Sequence, residues 1–169
     1  SHRLAPFNPR ATDVNVILDL MIHDIDIILN IVKSDVKSIA ASGTPVLTKS
    51  TDIANVRIEF ENNAVANVTA SRASMKTERK MRLLQPDTGV TIDFQNRIMN
   101  LYGKGKKEMF PSIPEIEVQE STYENNDALK AEIIAFLDSI ENNKPAMVSG
   151  EDGRKALATA IEISNLLSE

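Results

Sequence analysis

The chain has 169 residues, 42% of them hydrophobic and 25% charged, with no cysteine and two histidines. That is the size and composition of one ordinary folded domain with a real core, not of a disordered chain or a disulfide scaffold; thiol catalysis, Cys-based zinc and a His-rich metal cage are all excluded. A net charge of −5, from 19 Lys and Arg against 24 Asp and Glu, argues against a protein that grips a phosphate polymer, so no nucleic-acid partner is expected.

The chain opens without an initiator Met on an extended-looking segment, His2 to Phe7, and is expected to be a piece of a longer protein. Residues 1–10 lack the apolar run of a signal peptide. The most apolar stretch, residues 14–32, is broken by Asp19, His23, Asp24 and Asp26, so it is not a membrane span and the expected location is the cytoplasm. Val14, Ile17, Leu18, Met21, Ile22, Ile25, Ile28, Leu29 and Val32 instead keep the i, i+3, i+4 spacing of a helix with one broad buried face, capped by Asp13. Opposite that face, Asp19, His23, Asp26 and Asn30 fall on one stripe at about 100° per residue.

After this helix the period changes to two. Residues 36–41, 53–60, 65–74, 79–84, 90–94, 97–102 and 116–119 read as strands. Ala54, Val56, Ile58 and Phe60 alternate with Asn55, Arg57 and Glu59, as in a sheet with one buried and one polar face. Glu61-Asn62-Asn63-Ala64 marks a hairpin, and Gly103-Lys104-Gly105-Lys106-Lys107 is expected to be a mobile hairpin tip. Two helices follow: residues 128–141, capped by Asn126 or Asp127 and stopped by Asn142-Asn143-Lys144-Pro145, and residues 149–167, entered through Ser149-Gly150-Glu151-Asp152-Gly153. No repeat or composition shift divides the chain, so residues 1–169 form one α+β domain.

Chemistry concentrates on the stripe. Asp19 and His23 are four apart, so the carboxylate can hydrogen-bond one ring nitrogen, fix the tautomer and leave the other nitrogen available as a general acid or base. Spacing alone equally allows an ordinary helix histidine with a carboxylate neighbour. One helix offers an incomplete metal shell, and no metal site is expected. The basic run Arg72, Lys76, Arg79, Lys80 and Arg82 either attracts a phosphorylated or nucleotide-bearing ligand or lies on solvated strand faces. Residues 103–107 look like a phosphate loop, but no helix pattern follows to complete one.

The segment Leu18-Asp19-Leu20-Met21-Ile22-His23-Asp24-Ile25-Asp26, with Asp52-Ile53-Ala54-Asn55-Val56, Ser71-Arg72 and the ending Val148-Ser149-Gly150-Glu151-Asp152-Gly153, resembles the C-terminal domain of the Gfo/Idh/MocA oxidoreductases, such as glucose–fructose oxidoreductase. The resemblance implies an open, mostly antiparallel sheet with helices on one face, which completes a substrate site and forms the dimer. It implies an NAD or NADP cofactor bound by an N-terminal Rossmann domain that this chain lacks. It places the family's Asp and His on Asp19 and His23, as catalytic residues, with Asp19 also touching substrate; Arg10 and Arg72 are further candidates for substrate contact. The implied parent is a dehydrogenase acting on a secondary alcohol of a sugar, sugar nucleotide or polyol, self-associating through the sheet as a homodimer or dimer of dimers. The alternative from another class is a non-catalytic sheet-mediated dimerisation or ligand-binding module. With self-association through the sheet, the polar positions Asn55, Arg57, Glu59, Asn67, Thr69 and Ser71 would lie near the two-fold interface.

Overall fold

The computed structural model describes residues 1–9, 13–124 and 127–168. The alternation in β3 (Ile53–Phe60) is realised directly: Ala54, Val56, Ile58 and Phe60 are buried, whereas Asn55 and Arg57 face outward. β2 (Val36–Thr44) and β4 (Val65–Ser71) flank it antiparallel. The β3–β4 turn is the expected hairpin, with Asn63 at φ 66° and the Phe60 N–H donating to Ala64.

Eight strands form one open sheet in the order β2-β3-β4-β1-β5-β6-β7-β8. β1 (His2–Leu4) is inserted between β4 and β5 (Glu78–Gln85), parallel to the first and antiparallel to the second. β6 (Thr88–Asp93), β7 (Ile98–Phe110) and β8 (Ile113–Thr122) continue antiparallel. The sheet is mixed but mostly antiparallel, which with its helices makes the expected α+β class.

A π-helical turn (Ile17–Met21) runs into α1 (Ile22–Val32), and α3 (Gly150–Leu166) packs against both and against β2. The core lies between these helices and the sheet. It joins Val16, Ile17, Met21, Ile25 and Ile28 to the inward side chains of β3, to Val68, Ala70 and Met81, and to Ala156, Ala160 and Ile163 of α3. The two alanines let α3 approach closely. Ser149 and Asp152 form a capping box at its entry, with the Asp152 N–H donating to Ser149 Oγ at 3.2 Å and the Ser149 N–H to Asp152 Oδ2 at 2.8 Å.

Two local expectations change, and two further details emerge. Asn15 rather than Asp13 caps the first helical turn, accepting from the N–H groups of Ile17 and Leu18 at 3.1 Å each. Residues 103–107 lie within β7 instead of at a hairpin tip; the tip is at Pro111-Ser112, where Ser112 takes φ 64°. Asp127 caps α2 (Ala128–Glu141), accepting from the Lys130 N–H, while Asn126 lies outside the described residues. The apolar positions of α2 are exposed, from Leu129 at 65% to Leu137 at 49%, and find no cover among the described residues.

Candidate active site

The π turn sets the site's geometry. Its closing hydrogen bond runs from the Ile22 N–H to the Ile17 carbonyl, five residues back, so an extra residue is spent in the turn that separates Asp19 from His23. Side chains four apart no longer stack one above the other. No hydrogen bond joins Asp19 to His23 in consequence. Asp19, in the π turn, is half-buried, and His23, at the start of α1, is exposed. The same change of phase divides the stripe. Asp26 and Asn30 line a groove of about 670 Å³ between α1 and α3, together with Lys33, Asp152 and Arg154, and neither Asp19 nor His23 is in its wall.

The neighbours of His23 come from strands. Asp24, the next residue, turns inward and is 2% exposed. Its Oδ2 accepts from Arg3 Nε at 2.5 Å, and its Oδ1 from Arg3 Nη2 at 3.4 Å and from Ser1 Oγ at 2.9 Å. Arg3 stands directly across from Arg79 in the β1–β5 register, so the two guanidinium side chains share the helix-covered face of the sheet. Burial lowers the pKa of His23, and Arg3 and Arg79 lower it further, against smaller opposing effects of Asp24 and Asp19. These effects favour the neutral imidazole. A neutral, accessible imidazole without a hydrogen-bond partner among the described residues is suited to take a proton from a hydroxyl.

Arg72 sits elsewhere. It is 3% exposed, with Nε donating to Asp52 Oδ1 at 2.8 Å, Nη1 to the Val14 carbonyl at 2.7 Å and Nη2 to Thr48 Oγ1 and Ser50 Oγ at 3.1 and 2.8 Å. Asp52 is fully buried. Burial alone would push its pKa up, but the N–H groups of Thr48, Val46 and Leu47 and the Arg72 guanidinium outweigh that and hold it well below the usual carboxylate range. The pair locks residues 45–51 beneath the start of the π turn, where the Val16 N–H also donates to the Thr51 carbonyl at 2.9 Å. Its donors point to the protein and not to a substrate cleft.

The rest of the basic run scatters. Lys76 pairs with Glu78 and Lys80 with Asp93, Arg82 is exposed, and Arg79 is the member of the run whose charge acts on His23. Arg10, the other expected substrate contact, lies outside the described residues. Arg3 and Arg79 were not signalled as a pair by sequence spacing, because 76 positions separate them and only the β1–β5 register brings them together. Among the described residues no group of three or more His, Asp or Glu side chains is placed to hold a metal ion, and no helix is long and apolar enough to cross a membrane.

Asn55, Arg57 and Asn67 are exposed on the opposite sheet face, with Glu59 and Thr69 half-buried there. Asn55, Arg57, Asn67 and Thr69 line a shallow depression of about 400 Å³. Ser71 departs from that set. It is 4% exposed, and its Oγ accepts from the Ala73 N–H and from Ser74 Oγ at 3.2 Å each.

Residues 4–92 match the family model described as the GFO/IDH/MocA C-terminal domain. The chain is 36% identical over 163 residues to the UDP-N-acetylglucosamine 3-dehydrogenase of Acidithiobacillus ferrooxidans, a match that covers 96% of this chain and 52% of that enzyme. A solved structure of the same dehydrogenase superposes with TM-score 0.90 at 35% identity, covering 98% of this chain and 53% of that one. A dehydrogenase from Clostridium difficile shares the fold at TM-score 0.73 and 18% identity, over 97% of this chain and 53% of that one. The chain thus spans about half the length of the relatives it matches.

Proposed function

Since the chain belongs to the GFO/IDH/MocA family as one of its C-terminal domains, we propose that it completes the substrate site of an NAD(P)-dependent oxidoreductase acting on a secondary alcohol of a sugar nucleotide. The single observation that carries the reading is His23: exposed, with its neutral form favoured, and backed by the buried Asp24–Arg3 pair at the start of α1. His23 takes the hydroxyl proton as the alcohol is oxidised and returns it in the reverse direction. Asp19, half-buried one turn earlier, contacts a substrate hydroxyl and biases the orientation of the ring once substrate bridges the two.

This chain does not fit the dinucleotide itself. Glycines 43, 89, 103 and 105 lie in strands and 150 and 153 in α3, so the described residues contain no strand, Gly-rich turn and helix that would cradle a pyrophosphate. NAD or NADP, the hydride carrier, is assigned to a part of the parent protein outside this chain. The open sheet face around Asn55, Arg57, Asn67 and Thr69 is the proposed surface for a homodimer or dimer of dimers. A soluble cytoplasmic enzyme fits these features.

The test is made in the intact enzyme that carries this domain. His23→Ala should lower turnover by about 10²-fold or more with the melting temperature unchanged, because the side chain is exposed and unpaired. Asp19→Asn should reduce turnover more than substrate affinity. Full activity in a well-folded His23→Ala enzyme would remove His23 from the mechanism.

A further inference from the structure

Arg3 and Arg79 face the helix layer from adjacent strands, and the buried carboxylate of Asp24, next to His23 in sequence, is bound to Arg3. Asp24 is saturated. Its two oxygens serve the Nε and Nη2 of Arg3 and the Ser1 hydroxyl. Arg79 and Arg82 make no side-chain hydrogen bond or ion pair among the described residues, whereas Arg72, Lys76 and Lys80 pair with Asp52, Glu78 and Asp93; of the two, Arg79 is the one in register with Arg3 on the helix-covered face. Arg79 is exposed and no carboxylate is bound to its guanidinium, while its charge acts on the imidazole together with those of Arg3, Asp24 and Asp19. A planar fork of N–H donors left open at such a place matches two oxygens of a phosphoryl group better than it matches water.

We propose that Arg79 recognises the diphosphate of a nucleoside-diphosphate sugar, holding that group while the sugar ring reaches His23. The inference rests on the sugar-nucleotide reading above and adds to it the residue that distinguishes a nucleotide sugar from a free one. The local balance of charge agrees with it: burial and Arg3 lower the pKa of Arg79, Asp24 opposes them in part, and Arg79 in turn lowers that of His23. An anion bound at Arg79 would relieve both effects.

The two histidines make the test direct. The charge of Arg79 acts on His23, whereas His2 stands across from Lys80 on the opposite face of the sheet, so the His2 resonance serves as an internal control. The ring signals of both are followed by NMR in the 169-residue chain as UDP, glucuronate or N-acetylglucosamine is added across a pH series. The charged groups around His23 are Arg3 and Arg79 from the strands and Asp19 and Asp24 from its own helix. UDP is expected to shift the His23 signal and raise its titration midpoint, with His2 unmoved and N-acetylglucosamine without effect. Arg79→Gln should raise the midpoint in the absence of ligand and weaken the UDP response by about 10- to 100-fold, the scale of losing a charge-assisted fork; Arg79→Lys should recover part of it.

A UDP response at His23 that survives Arg79→Gln, a response at His2 instead, or none at all overturns the assignment. A response to glucuronate in place of UDP also overturns it, because the group recognised would then be a carboxylate. The titration needs no turnover, so the two readings separate. An essential His23 with a UDP response indifferent to Arg79 sinks only the diphosphate contact, and an Arg79-dependent response in an enzyme indifferent to His23→Ala sinks only the catalytic reading.

Discussion

Replacing Arg72 with Met tests whether the Asp52–Arg72 pair is scaffold. The substitution keeps most of the apolar stem and removes hydrogen bonds to Asp52, the Val14 carbonyl, Thr48 and Ser50, spanning 2.7 to 3.1 Å. Asp52 then remains ionised and fully buried. Breaking a buried pair from one side typically costs about 3–5 kcal/mol. Three backbone N–H groups and the Thr48 hydroxyl still hold the carboxylate, which places the loss near the lower end, about 3 kcal/mol. For a chain of this length that corresponds to roughly 6–12 °C in melting temperature. Urea unfolding at neutral pH, read by circular dichroism, measures it.

The double variant Arg72→Met with Asp52→Asn should lose less than the sum of the singles, because no unpaired charge is left inside. The pH dependence has a definite sign. With the folded pKa of Asp52 held below its ordinary 3.8, its ionisation contributes full stability above that value and progressively less as pH falls beneath it, and Asp52→Asn should flatten that acid limb. An Arg72→Met chain with an unchanged urea midpoint would refute the reasoning. So would a loss of substrate affinity in folded molecules of undiminished stability, which would return Arg72 to the substrate.

Self-association through the open sheet face should be weakened by Asn67→Lys, which sets a like charge directly across from Arg57 in the β3–β4 register. Light scattering should show wild-type dimers burying about 1,200 Å² or more and monomers in the variant; a monomeric wild type would count against the interface. The 169-residue chain should bind neither NAD nor NADP at micromolar concentration, and a calorimetric titration that finds such binding would contradict the assignment of the cofactor to another domain. Ser149→Ala, which deletes one side of the α3 capping box, should cost about 1 kcal/mol, and a stability equal to wild type would mean that the entry of α3 is held by packing alone.

Period and turn chemistry made most of the architecture legible. The two-residue alternation of β3 and the double-Asn hairpin identified the sheet, and Asp127 and Ser149 announced the two C-terminal helices. The candidate site was legible only along α1. A uniform 3.6-residue period has no means of showing that the helix opens with a π turn, because the apolar set Ile17, Met21, Ile25 and Ile28 satisfies either winding over so short a stretch. Hence the stripe from Asp19 to Asn30 read as one face when the structure makes it two. Gly103 and Gly105 suggested a turn, yet they sit in β7 where a Cβ at residue 103 would lie 3.0 Å from the Asp87 carbonyl and one at residue 105 the same distance from that of Glu115. The glycines serve close backbone approach there. The five cations from Arg72 to Arg82 read as one patch because sequence proximity hides strand parity. Arg72 lies inside, Lys80 faces away, and Arg79 stands beside a residue from the other end of the chain.

That last contact depends on β1, and β1 has kinetic consequences. β2 to β4 form one meander and β5 to β8 another, each closed by short connections between neighbours in sequence. The three residues of β1 join them, pairing His2 with Thr69 on one side and Lys80 on the other. Such a strand gains its hydrogen bonds only after both edges exist, and closing so long a loop carries an entropic cost that local hairpins do not. Its docking therefore falls late in folding, and Arg3 arrives with it. The surroundings of His23 are completed by the final ordering event of the sheet, so a chain caught before that step would hold two finished half-sheets and no assembled site.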